Sequence, residues 1–302
     1  MIARLFGRKR SGPVATGADP GPATSQAPTE PSAGTVRHSP TNQHVVSVDN
    51  VTKVYNEGTE QELLAVKDVT LNVKQGQVVA LLGPSGCGKS TLLKMIGGLY
   101  PTTNGTISID GVDVVEPSEL TGMMFQSPLL FPWLTVVDNV LLPLRVHGAR
   151  REEHLQRAND LIELVGLAGF EERYPWQLSG GMQQRTAICR MLIGNPSVLL
   201  LDEPFGALDE MTREYMDAEL RRIITQQNRS AILVTHNPLE AAFVADRVIV
   251  LTPRPGEIAG EVIVPLGKDR PDELFASDEL NVYVREARSL FELGHGPEEE
   301  PT

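Results

Sequence analysis

A glycine-rich segment, GPSGCGKST, holds residue types that can bind a chain of phosphate groups. Glycines allow the backbone to turn tightly and bring its amide groups close to phosphate oxygens, at the positive end of a following helix. The segment therefore predicts a phosphate-binding loop. Its candidate binding residues are Gly83, Pro84, Ser85, Gly86, Cys87, Gly88, Lys89, Ser90 and Thr91.

Three side chains at the end of this segment have distinct expected tasks. Lys89 would reach the β- and γ-phosphates, Ser90 would place its hydroxyl on Mg²⁺, and Thr91 would place a second hydroxyl near the α-phosphate. The alternative is an ordinary glycine-rich turn that opens a helix. The flanks favour the phosphate loop, because the apolar run 78–82 predicts a strand before it and the pattern at 92–96 predicts a helix after it.

Two adjacent carboxylates, Asp202 and Glu203, follow the apolar run 197–201, which is typical of a buried parallel strand. Open α/β sheets bind their ligands beyond the carboxyl ends of such strands. Successive strand residues face opposite ways, so the two carboxylates are expected to serve different tasks. Asp202 would hold Mg²⁺ directly or through water, and Glu203 would polarise the attacking water as general base. The alternative is a solvated turn after a strand.

A further motif, LSGGMQQR, covers residues 178–185. With it, the chain closely resembles the nucleotide-binding subunits of ABC transporters over roughly residues 45–266. The resemblance implies an ATPase with an α/β fold of the P-loop NTPase class. In that fold a mainly parallel, RecA-like sheet with helices carries an antiparallel β subdomain and an inserted helical subdomain.

The resemblance also assigns roles to residues that on their own would more often be structural. Tyr55 resembles the aromatic residue that stacks on adenine. Gln126 resembles the glutamine that contacts the metal or the attacking water and senses the γ-phosphate. His236 resembles the histidine that hydrogen-bonds the γ-phosphate and helps to position Glu203. The segment GALD, residues 206–209, is similar to the family's D-loop, in which serine is commoner than glycine at the first position.

The motif LSGGMQQR implies a dimer. Ser179, Gly180 and Gly181 are expected to open a helix that runs to Ile193, with free amides at its positive end. In the family this end faces ATP bound to a second copy of the chain. The resemblance therefore implies a head-to-tail dimer with two ATP molecules between the protomers, which opens when hydrolysis removes the charge bridge.

Composition points to a cytoplasmic protein, and the resemblance implies that it lies peripherally at the inner face of the cell membrane. The formal net charge of −12 disfavours a broad nucleic-acid surface, so no nucleic-acid partner is expected. No apolar run approaches the roughly 20 residues that span a bilayer, and the basic start lacks the apolar stretch of a secretory signal. Two cysteines, Cys87 and Cys189, are too few for a disulfide framework.

Composition and patterning also predict the domain organisation. Residues 1–43 lack the apolar groups needed to order the chain and predict a disordered tail. The ATPase domain is predicted at 44–268, with its helical subdomain at about 127–180. The predicted C-terminal helix, 269–294, carries one apolar face, and residues 295–302 predict an acidic disordered tail. That face comprises Leu280, Val284, Ala287 and Phe291.

The apolar segment 126–145 is mostly expected to be subdomain core, but its residues 131–134, FPWL, are predicted to line a groove for a cytoplasmic helix of a permease. The closest resemblance is to ATPase subunits of nitrate, sulfonate and taurine importers. Those systems add two transmembrane permease subunits and an external solute-binding protein that recognises the solute. The alternatives are an exporter ATPase and a soluble ABC ATPase that acts on DNA or ribosomes.

Overall fold

The structure is a computed structural model and describes residues 44–293, so the two predicted disordered tails lie outside it. Within residues 44–293, no helix is long and apolar enough to cross a membrane. The strands are β1 (His44–Tyr55), β2 (Leu63–Lys74), β3 (Val78–Leu82), β4 (Asn104–Ile109), β5 (Val112–Asp113), β6 (Thr121–Met124), β7 (Val198–Asp202), β8 (Ser230–Thr235), β9 (Arg247–Leu251) and β10 (Ile258–Ile263). The helices are α1 (Lys89–Ile96), α2 (Val136–Val146), α3 (Arg151–Leu164), α4 (Gly180–Leu192), α5 (Glu210–Gln226), α6 (Pro238–Val244) and α7 (Asp278–Leu293).

The strands form two sheets. A four-stranded sheet has the order β2-β1-β4-β5 and is antiparallel, as expected for the antiparallel β subdomain. A six-stranded sheet has the order β10-β9-β3-β8-β7-β6. Within this second sheet only β10 pairs antiparallel, and the other pairs are parallel. The predicted mainly parallel sheet with an antiparallel β part is therefore confirmed.

The central strands are apolar on both faces because each face belongs to a different core. In β3, Val78, Ala80 and Leu82 pack into the core that includes α2 to α7. The alternate residues Val79 and Leu81 pack with α1 and the antiparallel sheet. This arrangement explains the continuous apolar runs seen in the sequence, since a strand covered on both sides has no polar face.

Helices α2, α3 and α4 pack against one another beside the edge strand β6. Thr135 begins α2 as its N-cap, with its hydroxyl accepting a hydrogen bond from the Asp138 amide. Asn139 is fully buried in α2 and holds the preceding loop through both of its amide atoms. Helices α2 and α3 fall in the segment 127–180, where the sequence predicts a helical subdomain, whereas α4 begins only at its end, at Gly180.

The C-terminal helix begins later than predicted. Residues 272–276 form a short 3₁₀ helix after Pro271, and α7 starts only at Asp278. Ser277 separates the two helices, and its hydroxyl accepts a hydrogen bond from the Leu280 amide, as a helix cap does. The predicted apolar face is correct: Leu280, Val284 and Ala287 are buried against α6 and β10 in the main core, and Phe291 packs partly buried beside them.

Candidate nucleotide-binding site

Three parallel strands bring the predicted site residues to one edge of the six-stranded sheet. β8 lies between β3 and β7, and Leu82 of β3 is level with Thr235 of β8. Asp202 of β7 is level with Val234, one residue before. The phosphate loop, Glu203 and His236 directly follow these three strand ends. Sequence segments that are far apart in the chain therefore meet where α/β sheets bind ligands.

The glycine-rich segment forms a tight loop that ends at α1. Gly88 has φ 104°, and a Cβ at this position would lie 2.7 Å from the Ala65 carbonyl oxygen, so only glycine fits. The Lys89 ammonium is buried and donates to the carbonyl oxygens of Gly83 at 2.7 Å and Pro84 at 2.9 Å. The loop thus folds around its own lysine.

Ser90 and Asp202 are brought together across the sheet edge. The Ser90 hydroxyl donates to Asp202 Oδ1 at 2.6 Å, and only 9% of the Asp202 surface is exposed. A hydroxyl and a carboxylate held in contact with each other supply hard oxygen donors of the kind that Mg²⁺ prefers. The distance and the donor types therefore fit the metal site expected from the sequence.

Glu203 does not follow the alternation expected of a strand. Its φ is +46°, in the left-handed region, and its amide donates to the Val234 carbonyl oxygen at 3.0 Å. Asp202 and Glu203 consequently line the same cavity, of about 390 Å³, whereas strand alternation predicted opposite directions. A non-glycine residue in this conformation is strained by roughly 1–3 kcal/mol, a cost often found at functional sites.

His236 and Gln126 flank Glu203. His236 Nδ1 lies 3.3 Å from Glu203 Oε1, and the His236 side chain is about half exposed, at 53%. Gln126 is exposed and lines the cavity together with Glu203. A Cβ at Gly206 would lie 3.5 Å from both Gln126 Nε2 and Glu203 Oε2, which is ordinary contact. Position 206 can therefore accept a small side chain such as the serine expected there from the family.

The cavity is also lined by Tyr55, which the sequence predicted, and by residues that it did not predict. The Tyr55 hydroxyl lies 3.2 Å from the Thr91 hydroxyl, so the predicted adenine-stacking residue is next to the loop. Three further residues that line the cavity were not predicted from the sequence: Leu63, Ala65 and Arg254. Arg254 Nε donates to the Gly86 carbonyl oxygen at 3.3 Å. Its position in the turn after β9 carries no phosphate motif, so only the fold could reveal it.

Three of the predicted loop residues support the cavity without lining it: Gly83, Pro84 and Cys87. The Cys87 amide donates to the Pro84 carbonyl oxygen at 3.3 Å, which closes the loop on itself. The Cys87 thiol is buried, and this burial raises its pKa. A protonated, buried thiol is a poor nucleophile, so Cys87 acts here as a small packing residue.

No residue of the motif LSGGMQQR lines this cavity, although Gln184 donates to the carbonyl oxygen of the lining residue Gln126 at 3.3 Å. Ser179 is the N-cap of α4, and its hydroxyl accepts a hydrogen bond from the Met182 amide at 3.4 Å. Ser179 and Gly180 are exposed, Gly181 is half-buried, and none of the three lines the cavity of its own protomer. The predicted helix is confirmed, with its end at Leu192.

Comparison with known proteins identifies the same family that the sequence motifs resemble. The sequence profile of the family described as ABC transporter matches residues 66–206. The taurine import ATP-binding protein TauB of Burkholderia pseudomallei is 44% identical over 196 residues, covering 65% of this chain and 75% of that protein. The nitrate import ATP-binding protein NrtD of Synechocystis is 44% identical over 212 residues, covering 70% of this chain and 80% of that protein.

A solved structure supports the fold. The dimeric structure of the ATP-binding cassette MJ0796, in a post-hydrolysis state bound to ADP and Pi, matches with a TM-score of 0.63 at 37% identity. The match covers 72% of this chain and 98% of that one. The predicted resemblance, the fold class and the ATPase activity are thereby confirmed. The chain belongs to the ABC transporter family as an ATP-binding subunit that hydrolyses ATP.

Proposed function

We propose that this ATPase powers an ABC importer, in which ATP-driven closing and opening of a dimer takes up a small anion such as nitrate, a sulfonate or taurine. The observation that carries the catalytic part is the group of Ser90, Asp202, Glu203 and His236 at one sheet edge. The names of the relatives TauB and NrtD support the import direction and the solute class.

Mg²⁺ is the metal that fits the site. Ser90, Asp202 and Gln126 would hold it with hydroxyl, carboxylate and amide oxygens, and phosphate oxygens would complete its shell. Among residues 44–293 no group of three or more His, Cys, Asp or Glu side chains forms a metal site made by protein alone. When bound, the ion neutralises charge on the β- and γ-phosphates.

The chain's own groups divide the remaining tasks. Lys89 would exchange its two loop carbonyl partners for the β- and γ-phosphates, since its ammonium is already held inside the loop. The backbone amides of Ser85, Gly86 and Gly88 would bind phosphate oxygens at the start of α1. Glu203 would orient and deprotonate the attacking water, and His236 would contact the γ-phosphate while holding the Glu203 carboxylate.

The second copy of the chain completes each site. Ser179, Gly180 and Gly181 present the positive end of α4 on the surface, away from the cavity of their own protomer. In a head-to-tail dimer this helix end would bind the γ-phosphate held by the partner. The dimeric state of the cassette MJ0796 with ADP and Pi supports this arrangement.

The loop before α2 would bind a permease. Trp133 is 69% exposed and Phe131 is 38% exposed, and their rings meet edge to face at 5.2 Å. The buried Asn139 fixes this loop, because it bonds the amide and carbonyl groups of Phe131 and the carbonyl of Leu134. An exposed aromatic pair on a rigid loop is suited to receive an apolar helix.

In the complete importer, two such permease subunits hold the dimer at the inner face of the membrane. An external solute-binding protein would deliver the solute to the permeases. This ATPase would contact that protein only indirectly, through the permease subunits.

Replacing Glu203 by Gln should slow ATP hydrolysis while leaving ATP binding nearly unchanged. The variant Glu203→Gln should lower kcat for ATP hydrolysis by at least about 100-fold, because it removes the general base. Its Kd for ATP should change by less than about threefold, since the phosphate contacts remain. Steady-state kinetics and equilibrium binding measure both values, with Glu60→Gln on an exposed loop as control. Unchanged turnover would contradict the assignment.

Arg254 should contribute to phosphate binding. The variant Arg254→Ala should weaken ATP and ADP binding about tenfold, the loss expected for one hydrogen bond to a charged group. Binding of adenosine should not change. Lys67→Ala is a matched control, because Lys67 is an exposed cation that pairs with Glu257 on the same turn, at 2.9 Å. Equal losses of affinity for adenosine and for ATP would show that Arg254 binds the base instead.

Trp133 should matter only with the permease present. Tagged chain would be purified from gently solubilised native membranes, and bound proteins identified by mass spectrometry. Trp133→Ala should reduce permease recovery about tenfold, as expected for a buried aromatic anchor, and leave the ATPase activity of the isolated chain unchanged. Val282→Ala, an exposed apolar change on α7, is the control.

The same purification tests the importer itself. Recovery of a permease together with a solute-binding protein would support import. Recovery of ribosomes, of DNA proteins, or of a permease without a solute-binding protein would overturn it.

A further inference from the structure

Two buried acidic side chains that have no role in the proposed chemistry lie next to the strand end that precedes His236. Asp217 of α5 and Glu240 of α6 are only 2% and 5% exposed. They are hydrogen-bonded to each other, and two carboxylates can share such a bond only if one of them holds a proton. An unshielded pair of charges at this depth would be strongly unfavourable.

The hydrogen-bond pattern favours placing that proton on Asp217. The Thr235 hydroxyl donates to Glu240 Oε2, and this hydrogen bond stabilises the ionised form of Glu240. Asp217 Oδ1 has no partner among the described residues, as expected when the other oxygen carries the shared proton. Burial and the neighbouring Glu240 charge both raise the pKa of Asp217 well above its ordinary value.

The pair connects two parts of the site. On one side, Thr235 is buried at the end of β8, directly before His236, and its hydroxyl also accepts from the Asn237 amide at 3.0 Å. On the other side, Asp209 caps the start of α5, and Arg213 of this helix donates to the Leu208 carbonyl oxygen in the preceding segment at 2.9 Å. The carboxyl pair is therefore a polar link between helix α5 and Thr235, the residue that precedes His236.

We propose that Asp217 and Glu240 act as a positioning pair, sharing one proton, that fixes Thr235 and thereby His236 relative to helix α5. The pair does not touch the nucleotide. It keeps His236 Nδ1 at its 3.3 Å distance from Glu203 Oε1, so its loss affects turnover more than ATP binding. This inference rests on the proposed role of His236.

The test compares variants that remove or keep each hydrogen bond. Asp217→Leu removes the donor at similar volume, and Thr235→Val removes the hydroxyl. Each should lower kcat about tenfold, the cost of one hydrogen bond to a charged group, while the Kd for ATP stays within about twofold. The matched controls Asp217→Asn, whose amide still donates to Glu240, and Thr235→Ser should keep kcat within about twofold of the unmodified chain.

A double-mutant cycle separates one connected link from two independent packing effects. If the link is one unit, the Asp217→Leu and Thr235→Val double variant should have the kcat of the slower single variant. Multiplication of the two losses to about 100-fold would contradict the proposal, as would equal losses in Asp217→Asn. If Asp217→Leu fails to fold, Thr235→Val against Thr235→Ser still decides, because a normal kcat in Thr235→Val would overturn the link.

His236→Ala, measured in parallel, shows which proposal fails. Loss of turnover in His236→Ala with normal turnover in Asp217→Leu would remove only the positioning pair. Normal turnover in His236→Ala would remove the proposed role of the histidine itself.

Discussion

Parallel pairing of β3 with β8 and of β8 with β7 holds three distant chain segments at one level. The register places the phosphate loop, Glu203 and His236 one residue beyond neighbouring strand ends. The 2.6 Å bond from Ser90 to Asp202 then joins α1 to β7 across this edge. A slip of one residue in either pairing would turn these side chains to the other face of the sheet. Apolar cores on both faces oppose such a slip.

Several conformations and contacts in the site would become more favourable when a ligand binds. Glu203 has a left-handed backbone, two carboxylates line one cavity, and Lys89 is bound to its own loop. A metal–nucleotide complex would bring cation to carboxylate and phosphate to lysine, so binding replaces these internal contacts with stronger ones. The surrounding fold is rigid enough to hold this arrangement, because every residue of β3 and β7 is buried.

The sequence predicted most of the fold and the site because its signals were local. Gly83 to Thr91 carries its own flanking strand and helix, and the apolar run before Asp202 marks a parallel strand. The local sequence patterns did not predict features that depend on contacts between distant segments of the chain. The +46° φ of Glu203 depends on its bond to β8, Arg254 reaches the cavity from a turn 168 residues beyond Gly86, and the Asp217–Glu240 pair needs α5 and α6 to meet. The late start of α7 follows from Pro271 and the Ser277 cap, which an apolar period cannot show.

We propose that one chain holds only half of each catalytic site. Sedimentation of the Glu203→Gln chain with Mg²⁺ and ATP tests it most directly, because blocked hydrolysis should trap the closed dimer. The chain should sediment as a dimer with ATP and as a monomer with ADP. Adding Ser179→Arg should restore the monomer while each chain still binds ATP. A dimer that persists with Ser179→Arg, or loss of ATP binding by the Ser179→Arg monomer, would contradict the claim.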